Sequence, residues 1–181
     1  MKYRELIKLK DGRDCVLRSA SSADAAAVRD CFLLTHRETD FLLTYPLEMT
    51  MTEEQEGEFL RKKEESAGAA ELLALVDGKM VGTAGIDAVG TKDKLRHRAE
   101  LGVSVEKAFW GLGIGRALLR GCVACAKRAG YAQLELEAVA ENERAIALYE
   151  SEGFIEYGRN PLGFLSRGGR RQELVLMRLE L

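Results

Sequence analysis

The stretch Trp110-Gly111-Leu112-Gly113-Ile114-Gly115-Arg116 sets three glycines at alternate positions between a strand-like run and a helical one. Glycine lets a ligand approach the backbone closely. A helix N-terminus behind it presents unpaired N–H groups and a partial positive charge. The ligand suited to that arrangement is a phosphate or pyrophosphate. Neither common nucleotide fingerprint fits. G-x-G-x-x-G would need glycine at Arg116 if counted from Gly111, or at Leu118 if counted from Gly113. The pattern G-x-x-x-x-G-K-[ST] is absent as well. Tight packing is the competing explanation for the glycines, and their position directly before a helix disfavours it.

Other chemically capable residues are scattered. Cys122 and Cys125 form a C-x-x-C pair, but no second pair or Cys-His cluster completes a four-ligand zinc site. Both fall in a helical stretch, where a spacing of three puts them on one face, so packing is the expectation and no metal is called for. Cys15 and Cys31 need no disulfide in a reducing cytosol. His36 reads as a surface residue of the first helix. A second patterned stretch, Asn142 to Phe154, follows a strand and opens on an asparagine suited to cap a helix.

The elements that must hold these residues follow from periodicity. Arg13 to Arg18 reads as a strand, with Cys15 and Leu17 alternating against polar neighbours. Ser21 and Ser22 cap a helix expected to end near Leu34, and Thr35 to Thr50, with Pro46, reads as irregular. Thr52-Glu53-Glu54-Gln55 is a capping box opening a charged helix to about Ser66. Glu71 to Val76 and Met80 to Ile86 are strands joined by an Asp77-Gly78 turn. Ala99 to Val105 is a further strand with Leu101, Val103 and Val105 on one face. Gly111 to Ala129 is a helix stopped by Gly130, then Gln133 to Val139 a strand and Asn142 to Ser151 a helix stopped by Gly153. Two strand-like runs, Phe154 to Tyr157 and Glu173 to Leu179, finish the chain. The order β-α-α-β-β-β-α-β-α-β-β, with no linker or repeat, predicts one α/β domain over residues 1–181.

Composition bounds the function. In 181 residues, 46% are hydrophobic and 31% charged, with a net charge of −2. That balance gives no electrostatic reason to expect nucleic acid or an anionic membrane as partner. No apolar run reaches the ~20 residues that span a bilayer. The N-terminal residues lack a signal-peptide core, so a cytoplasmic location is expected.

The glycine stretch resembles the acetyl-CoA motif of the GNAT acetyltransferase superfamily: a strand ending in an apolar residue, a bend, then Q/R-x-x-G-x-G/A at a helix start. Leu101 to Val105 is the strand, Glu106-Lys107-Ala108-Phe109 the bend, and Gly113 and Gly115 the small positions. Trp110 stands at the Q/R position, a departure from the pattern. Asn142 to Phe154 is similar to the family's N-x-x-A-x-x-L-Y-x-x-x-G-F segment. Together with the element order, the resemblance covers roughly residues 13 to 180. It implies a mixed, mostly antiparallel sheet of about six to seven strands flanked by helices. That sheet would be splayed between the strand ending at Val105 and the strand Gln133–Val139.

The resemblance also implies chemistry. Acetyl-CoA is the co-substrate, and an amine of a small molecule or peptide is the acceptor. Val103 and Val105 offer backbone groups to the pantetheine arm and the thioester carbonyl. Trp110, Gly111, Leu112, Gly113, Ile114, Gly115 and Arg116 surround the pyrophosphate, and Asn142 hydrogen-bonds the cofactor. Tyr149 is the candidate general acid, since a phenol is protonated at neutral pH and can donate to a leaving thiolate. Glu100 is the candidate general base, with His97 as the alternative. The acceptor site would be built from Thr35–Tyr45 and Asn160–Arg171. There Glu38 and Asp40 would favour a cation, while Arg167, Arg170 and Arg171 would favour an anion. The acceptor therefore stays open, as does a homodimer. A non-catalytic acetyl-CoA sensor remains the alternative to an enzyme, because fold alone does not imply turnover. An unrelated phosphate-binding domain would leave the Asn142–Phe154 segment unexplained.

Overall fold

The chain opens with a hairpin that its sequence conceals. In the computed structural model, which describes residues 1–181, β1 (Arg4–Lys8) pairs antiparallel with β2 (Asp14–Ser19). β1 is a sheet edge, exposed at four of its five residues, with Leu6 65% exposed. An edge strand flanked by charges carries no burial alternation, and so it escapes a periodicity reading.

Ser22–Asp24 forms a single 3₁₀ turn into α1 (Ala25–Glu38), which runs four residues past the expected end at Leu34. The Thr35 hydroxyl returns to the Cys31 carbonyl at 2.9 Å, and its side chain is buried. Tertiary burial thus carries the helix through residues of modest intrinsic propensity. α2 (Glu53–Glu65) starts as anticipated, with Thr52 accepting from the Gln55 N–H and the Gln55 side chain answering at the Thr52 N–H. β3 (Ala70–Val76) and β4 (Lys79–Ala88) meet at Asp77-Gly78, whose φ values of 51° and 78° are those of a type I′ turn.

β5 (Arg98–Val105), α3 (Ile114–Ala129), β6 (Gln133–Val139) and α4 (Glu143–Ser151) follow in the expected order. β7 (Ile155–Leu165) and β8 (Arg171–Glu180) close the fold. Most of Asn160 to Arg171, which lies between the two strand-like runs expected at the end of the chain, is therefore strand and hairpin. Pro161 and Gly163 read as breakers, yet β7 is the far edge of the sheet, where a missing N–H and two register shifts are tolerated.

All eight strands form one sheet in the order β1-β2-β3-β4-β5-β6-β8-β7, one more strand than the largest count expected. Every neighbouring pair is antiparallel except β5–β6. α3 covers one face, burying Leu118, Leu119, Cys122, Cys125 and Ala126 against β2 to β5. Each large apolar side chain so buried contributes about 1.5–3 kcal/mol. α1 and α2 cover the opposite face through Val28, Cys31 and Leu60 on Leu73 and Met80. The Lys63 ammonium, reaching Glu71 at 2.9 Å and Asp87 at 2.6 Å, ties α2 to that face.

Candidate active site

Backbone parity along β5 decides what the middle of the sheet offers. The Glu106 N–H donates to the Val81 carbonyl and the Val89 N–H to the Arg98 carbonyl. β4 and β5 pair in one register between those two bonds. The even-numbered residues 98–106 therefore turn their N–H and C=O groups to β4, and the odd-numbered ones turn theirs the other way. On that other side β6 pairs only through Arg98–Glu100 with Gln133–Glu135. Beyond Glu100 the strands diverge, and the backbone groups of Val103 and the Val105 N–H open into a seam, where the Val105 carbonyl accepts from the Trp110 Nε1–H at 2.7 Å.

A cavity of about 490 Å³ occupies the seam. Val103, Ser104 and Val105 form its wall on β5, and Leu148 and Tyr149 face them from α4. Trp110, Gly111, Gly113, Gly115 and Arg116 line it from the glycine loop, and Thr35, Thr39, Phe41 and Leu42 line it from α1 and the segment after it. Gly111 and Gly113 have φ of 85° and 102°, a region that side chains rarely enter, so the loop requires glycine there. No side chain caps α3, whose first N–H bonded back within the helix is that of Ala117, to Gly113. The N–H groups of Ile114, Gly115 and Arg116 thus lack helical acceptors. Leu112 and Ile114 lie outside the lining: the Leu112 carbonyl accepts from the Lys10 N–H, and the Ile114 side chain is buried in the core.

Three cations, Lys10, Arg116 and Arg144, line the cavity, and no carboxylate does. Arg116 shares Glu152 with Arg120, at 3.3 and 2.7 Å, so that cluster keeps a net positive charge. The Arg144 guanidinium lies 5.5 Å from the centre of the Trp110 ring. Loop glycines, an uncapped helix N-terminus and three cations with no carboxylate in the lining give this part of the cavity the properties an anion would seek.

Asn142 caps α4 by accepting from the Ala145 N–H at 3.3 Å, and it also lines the cavity. The Tyr149 ring packs 5.9 Å from Phe154, and its hydroxyl makes no hydrogen bond to the protein. Burial pushes its pKa up to about 12, so the phenol is protonated across the neutral range.

Glu100 does not join this group. It is exposed on β5, opposite Asp87 and on the same face as Ser104. Gly102 lies between them, with open space where a side chain would begin. His97 is exposed too, and its carbonyl serves the β5–β6 junction by accepting from the Ala132 and Gln133 N–H groups. His36, expected at the surface, is half-buried and stacked on Phe32 with centroids 3.6 Å apart. Burial lowers its pKa. Cys122 and Cys125 are core residues of α3, and burial raises the Cys122 thiol far above its ordinary range.

The two segments expected to form the acceptor site do meet. The Tyr45 hydroxyl accepts from the Arg167 N–H at 3.1 Å, and the Gln172 amide donates to the Asp40 carbonyl at 3.2 Å. The charges singled out there have other roles. The Glu38 carboxylate accepts from the Lys107 N–H at 2.7 Å, and Arg167 stacks 4.3 Å over Tyr45. Arg170 lies 3.9 Å from Glu141. None of Glu38, Asp40, Arg167, Arg170 and Arg171 lines the cavity, to which residues 35–42 contribute only the uncharged side chains of Thr35, Thr39, Phe41 and Leu42.

Residues 32–154 match the acetyltransferase (GNAT) family. This chain belongs to that family. The GNAT chain is 38% identical over 81 residues to the N-alpha-acetyltransferase RimI of Mycobacterium tuberculosis, covering 45% of this chain and 49% of RimI. It thus spans about half the length of the curated relatives it matches, and about a quarter of one from Mycobacterium leprae. The GNAT-family acetyltransferase structure from Streptococcus pneumoniae superposes with a TM-score of 0.87 at 29% identity, covering 92% of this chain and 99% of that one. A phosphinothricin acetyltransferase from Sinorhizobium meliloti, solved with acetyl-CoA, shares the fold at a TM-score of 0.80 and 23% identity, covering 92% of this chain and 88% of its own.

Sequence reasoning gave no site role to Lys10, Phe109, Arg144, Ala145, Ala147 or Leu148 among the lining residues. Arg144 had a usable signal, as a cation two residues into a helix next to the glycine loop. Lys10 had none, because only the β1–β2 hairpin brings it there. No helix is long and apolar enough to cross a membrane.

Proposed function

We propose that this chain is an N-acetyltransferase that transfers acetyl from acetyl-CoA to an amine by direct attack. The observation that carries the reading is one cavity with a cationic, glycine-lined end, free strand backbone along its middle and a buried phenol facing that strand. The pyrophosphate would sit on the N–H groups at the start of α3, between Arg116 and Arg144. The pantetheine arm would lie along Val103 and Val105, pairing with backbone that β6 leaves free.

The amine enters from the Phe41–Leu42 end and attacks the thioester carbon. The carbonyl oxygen takes on negative charge and is met by the Val105 N–H. As the tetrahedral intermediate collapses, the C–S bond breaks and the thiolate takes the Tyr149 proton. Burial disfavours the thiolate as it disfavours the phenolate, so the two proton affinities rise together and transfer stays feasible. The amine loses its proton to water leading along the open surface over Gly102 to Glu100. Products are an amide and CoA with its free thiol, and solvent returns the proton taken up at Glu100 to the Tyr149 phenolate before the next turnover.

The uncharged acceptor end suits an amine flanked by apolar groups. The ribosomal protein bS18-alanine N-acetyltransferase of Escherichia coli, a relative 35% identical over 74 residues, and the phosphinothricin acetyltransferases suggest the panel: a peptide with N-terminal alanine, phosphinothricin, and simple alkyl and aryl amines. A thermal-shift titration with acetyl-CoA, CoA, ATP and NAD tests the cofactor first, since a ligand of the native state raises Tm by mass action. Stabilisation by the two CoA species alone supports the reading, and stabilisation by ATP or NAD instead overturns it. Thiol release on adding an amine separates an enzyme from a sensor.

A further inference from the structure

Lys10 stands in the turn between β1 and β2, outside the residues 32–154 that match the family. The turn is fixed in place. Leu9 is buried in the core, its N–H donates to the Arg13 carbonyl and its carbonyl accepts from the Gly12 N–H. The Lys10 N–H donates to the Leu112 carbonyl at 3.2 Å, so its side chain starts beside the glycine loop. The other charges of the turn pair locally: Lys8 reaches Asp14 at 2.8 Å, and Arg13 holds Asp11 at 2.7 Å. Lys10 alone has no carboxylate partner, and it alone of these residues lines the cavity.

CoA carries phosphate in two places. A diphosphate joins pantetheine to adenosine, and a monoester sits on the 3′ oxygen of the ribose. With a second pKa near 6, the monoester brings roughly two negative charges at pH 7. The diphosphate has its own donors in the free N–H groups at the start of α3 and in Arg116. Pantetheine and adenosine leave the diphosphate in opposite directions, so the ribose phosphate belongs away from Tyr149. Of the two lining cations without a carboxylate partner, Arg144 shares α4 with Tyr149 and Lys10 does not. The Arg144 guanidinium also comes within 3.2 Å of where a Gly111 side chain would begin, which keeps it on the loop. We propose that Lys10 recognises the 3′-phosphate and so distinguishes CoA from carriers that have only the pantetheine phosphate. The proposal rests on the acetyl-CoA reading above. A compact ammonium on a flexible four-carbon stem suits a monoester on a mobile ribose. Because Lys10 is exposed, solvent and salt keep its contribution modest.

Calorimetry on the full chain compares CoA with 3′-dephospho-CoA, which lacks only the ribose phosphate. The unmodified protein should bind CoA about fivefold more tightly, the upper end for an exposed charge pair. Lys10→Met keeps the stem and removes the charge. It should weaken CoA about fivefold and leave dephospho-CoA unchanged, and Lys10→Arg should retain most of the preference. Arg144→Met should weaken both ligands alike. Equal weakening of both ligands by Lys10→Met puts Lys10 on the diphosphate and overturns the assignment. A preference that survives Lys10→Met but vanishes in Arg144→Met overturns it too, as does unmodified protein that binds the two ligands equally. Unmodified protein that binds neither sinks the acetyl-CoA reading itself. Phosphorus NMR of bound CoA needs no variant and decides where one fails to fold. The monoester resonance should titrate below its free pKa near 6, because a cation beside it favours the dianion, and should return to that value in Lys10→Met. A bound monoester that titrates like that of free CoA refutes the contact.

Discussion

Removing the Tyr149 hydroxyl isolates the chemical step from the fold. The ring packs on Phe154 and is buried, while the hydroxyl has no protein partner, so Tyr149→Phe leaves no orphaned donor or acceptor behind. Stability should change by no more than about 0.5 kcal/mol. General acid catalysis contributes roughly 10²- to 10⁴-fold. Burial has raised the phenol to about 12, two units above its ordinary value, which makes it a weaker acid and argues for the lower end of that range. The expected loss in kcat is therefore about 100-fold, or ~2.7 kcal/mol of transition-state stabilisation. The Kd for acetyl-CoA should stay within about twofold, because the hydroxyl acts on the departing sulfur and not on the bound ground state. The protonated form is the active one, so no downturn in wild-type kcat should come from Tyr149 below about pH 10. Thiol release followed with a disulfide reagent gives kcat, and calorimetry gives Kd. A variant with kcat within threefold of wild type would refute Tyr149 as the acid. A matched loss in affinity would mean that it holds the cofactor instead.

Gly113→Val should cost about 1–2 kcal/mol of stability, because φ of 102° strains a β-branched residue, and should weaken CoA at least tenfold. The space around that position is open, so retained binding in calorimetry would remove the pyrophosphate from the loop. Glu100→Gln should lower kcat about tenfold at pH 7 and less at pH 9, where more of the acceptor amine is already neutral. A pH–rate profile identical to wild type would assign the base elsewhere. Asp24 is held down to about 2 by its side-chain bond to Arg18 at 2.6 Å. A carboxylate lowered on folding stabilises the native state above its unfolded pKa near 4, and that contribution is lost as pH falls towards 2. Asp24→Asn should therefore destabilise by about 1–2 kcal/mol at pH 7 and by little at pH 2, read by urea melts. Equal destabilisation at both values would show that the ion pair is not the cause.

The features visible in the sequence are those governed by neighbours along the chain. Positive φ at Asp77-Gly78 and at Gly113, the Thr52 and Asn142 caps and the burial stripe of α3 each follow from a few adjacent residues. The glycine loop and the Asn142–Phe154 segment were legible for the same reason, and both contribute to the lining of one cavity. Residues whose place depends on partners far along the chain were not. β1 exists because β2 pairs with it at the sheet edge, and that hairpin delivers Lys10 to the cavity. α1 continues to Glu38 because Thr35 is buried, which sets Phe41 and Leu42 in the cavity lining and the Glu38 carboxylate on the Lys107 N–H. β7 runs through Pro161 because it is an edge.

By itself, then, the sequence determined the element order, the turns and caps, and the loop able to bind a phosphate, since these are local consequences of dihedral preference and hydrogen-bond supply. Only the tertiary structure decided where β5 and β6 part, and so which backbone groups are free. It alone decided that residues 35–42 bring only uncharged side chains to the cavity, that Glu100 stands outside it, and that the Trp110 indole reaches the Val105 carbonyl. Each of those depends on register and packing between segments remote in the chain, which no local pattern encodes.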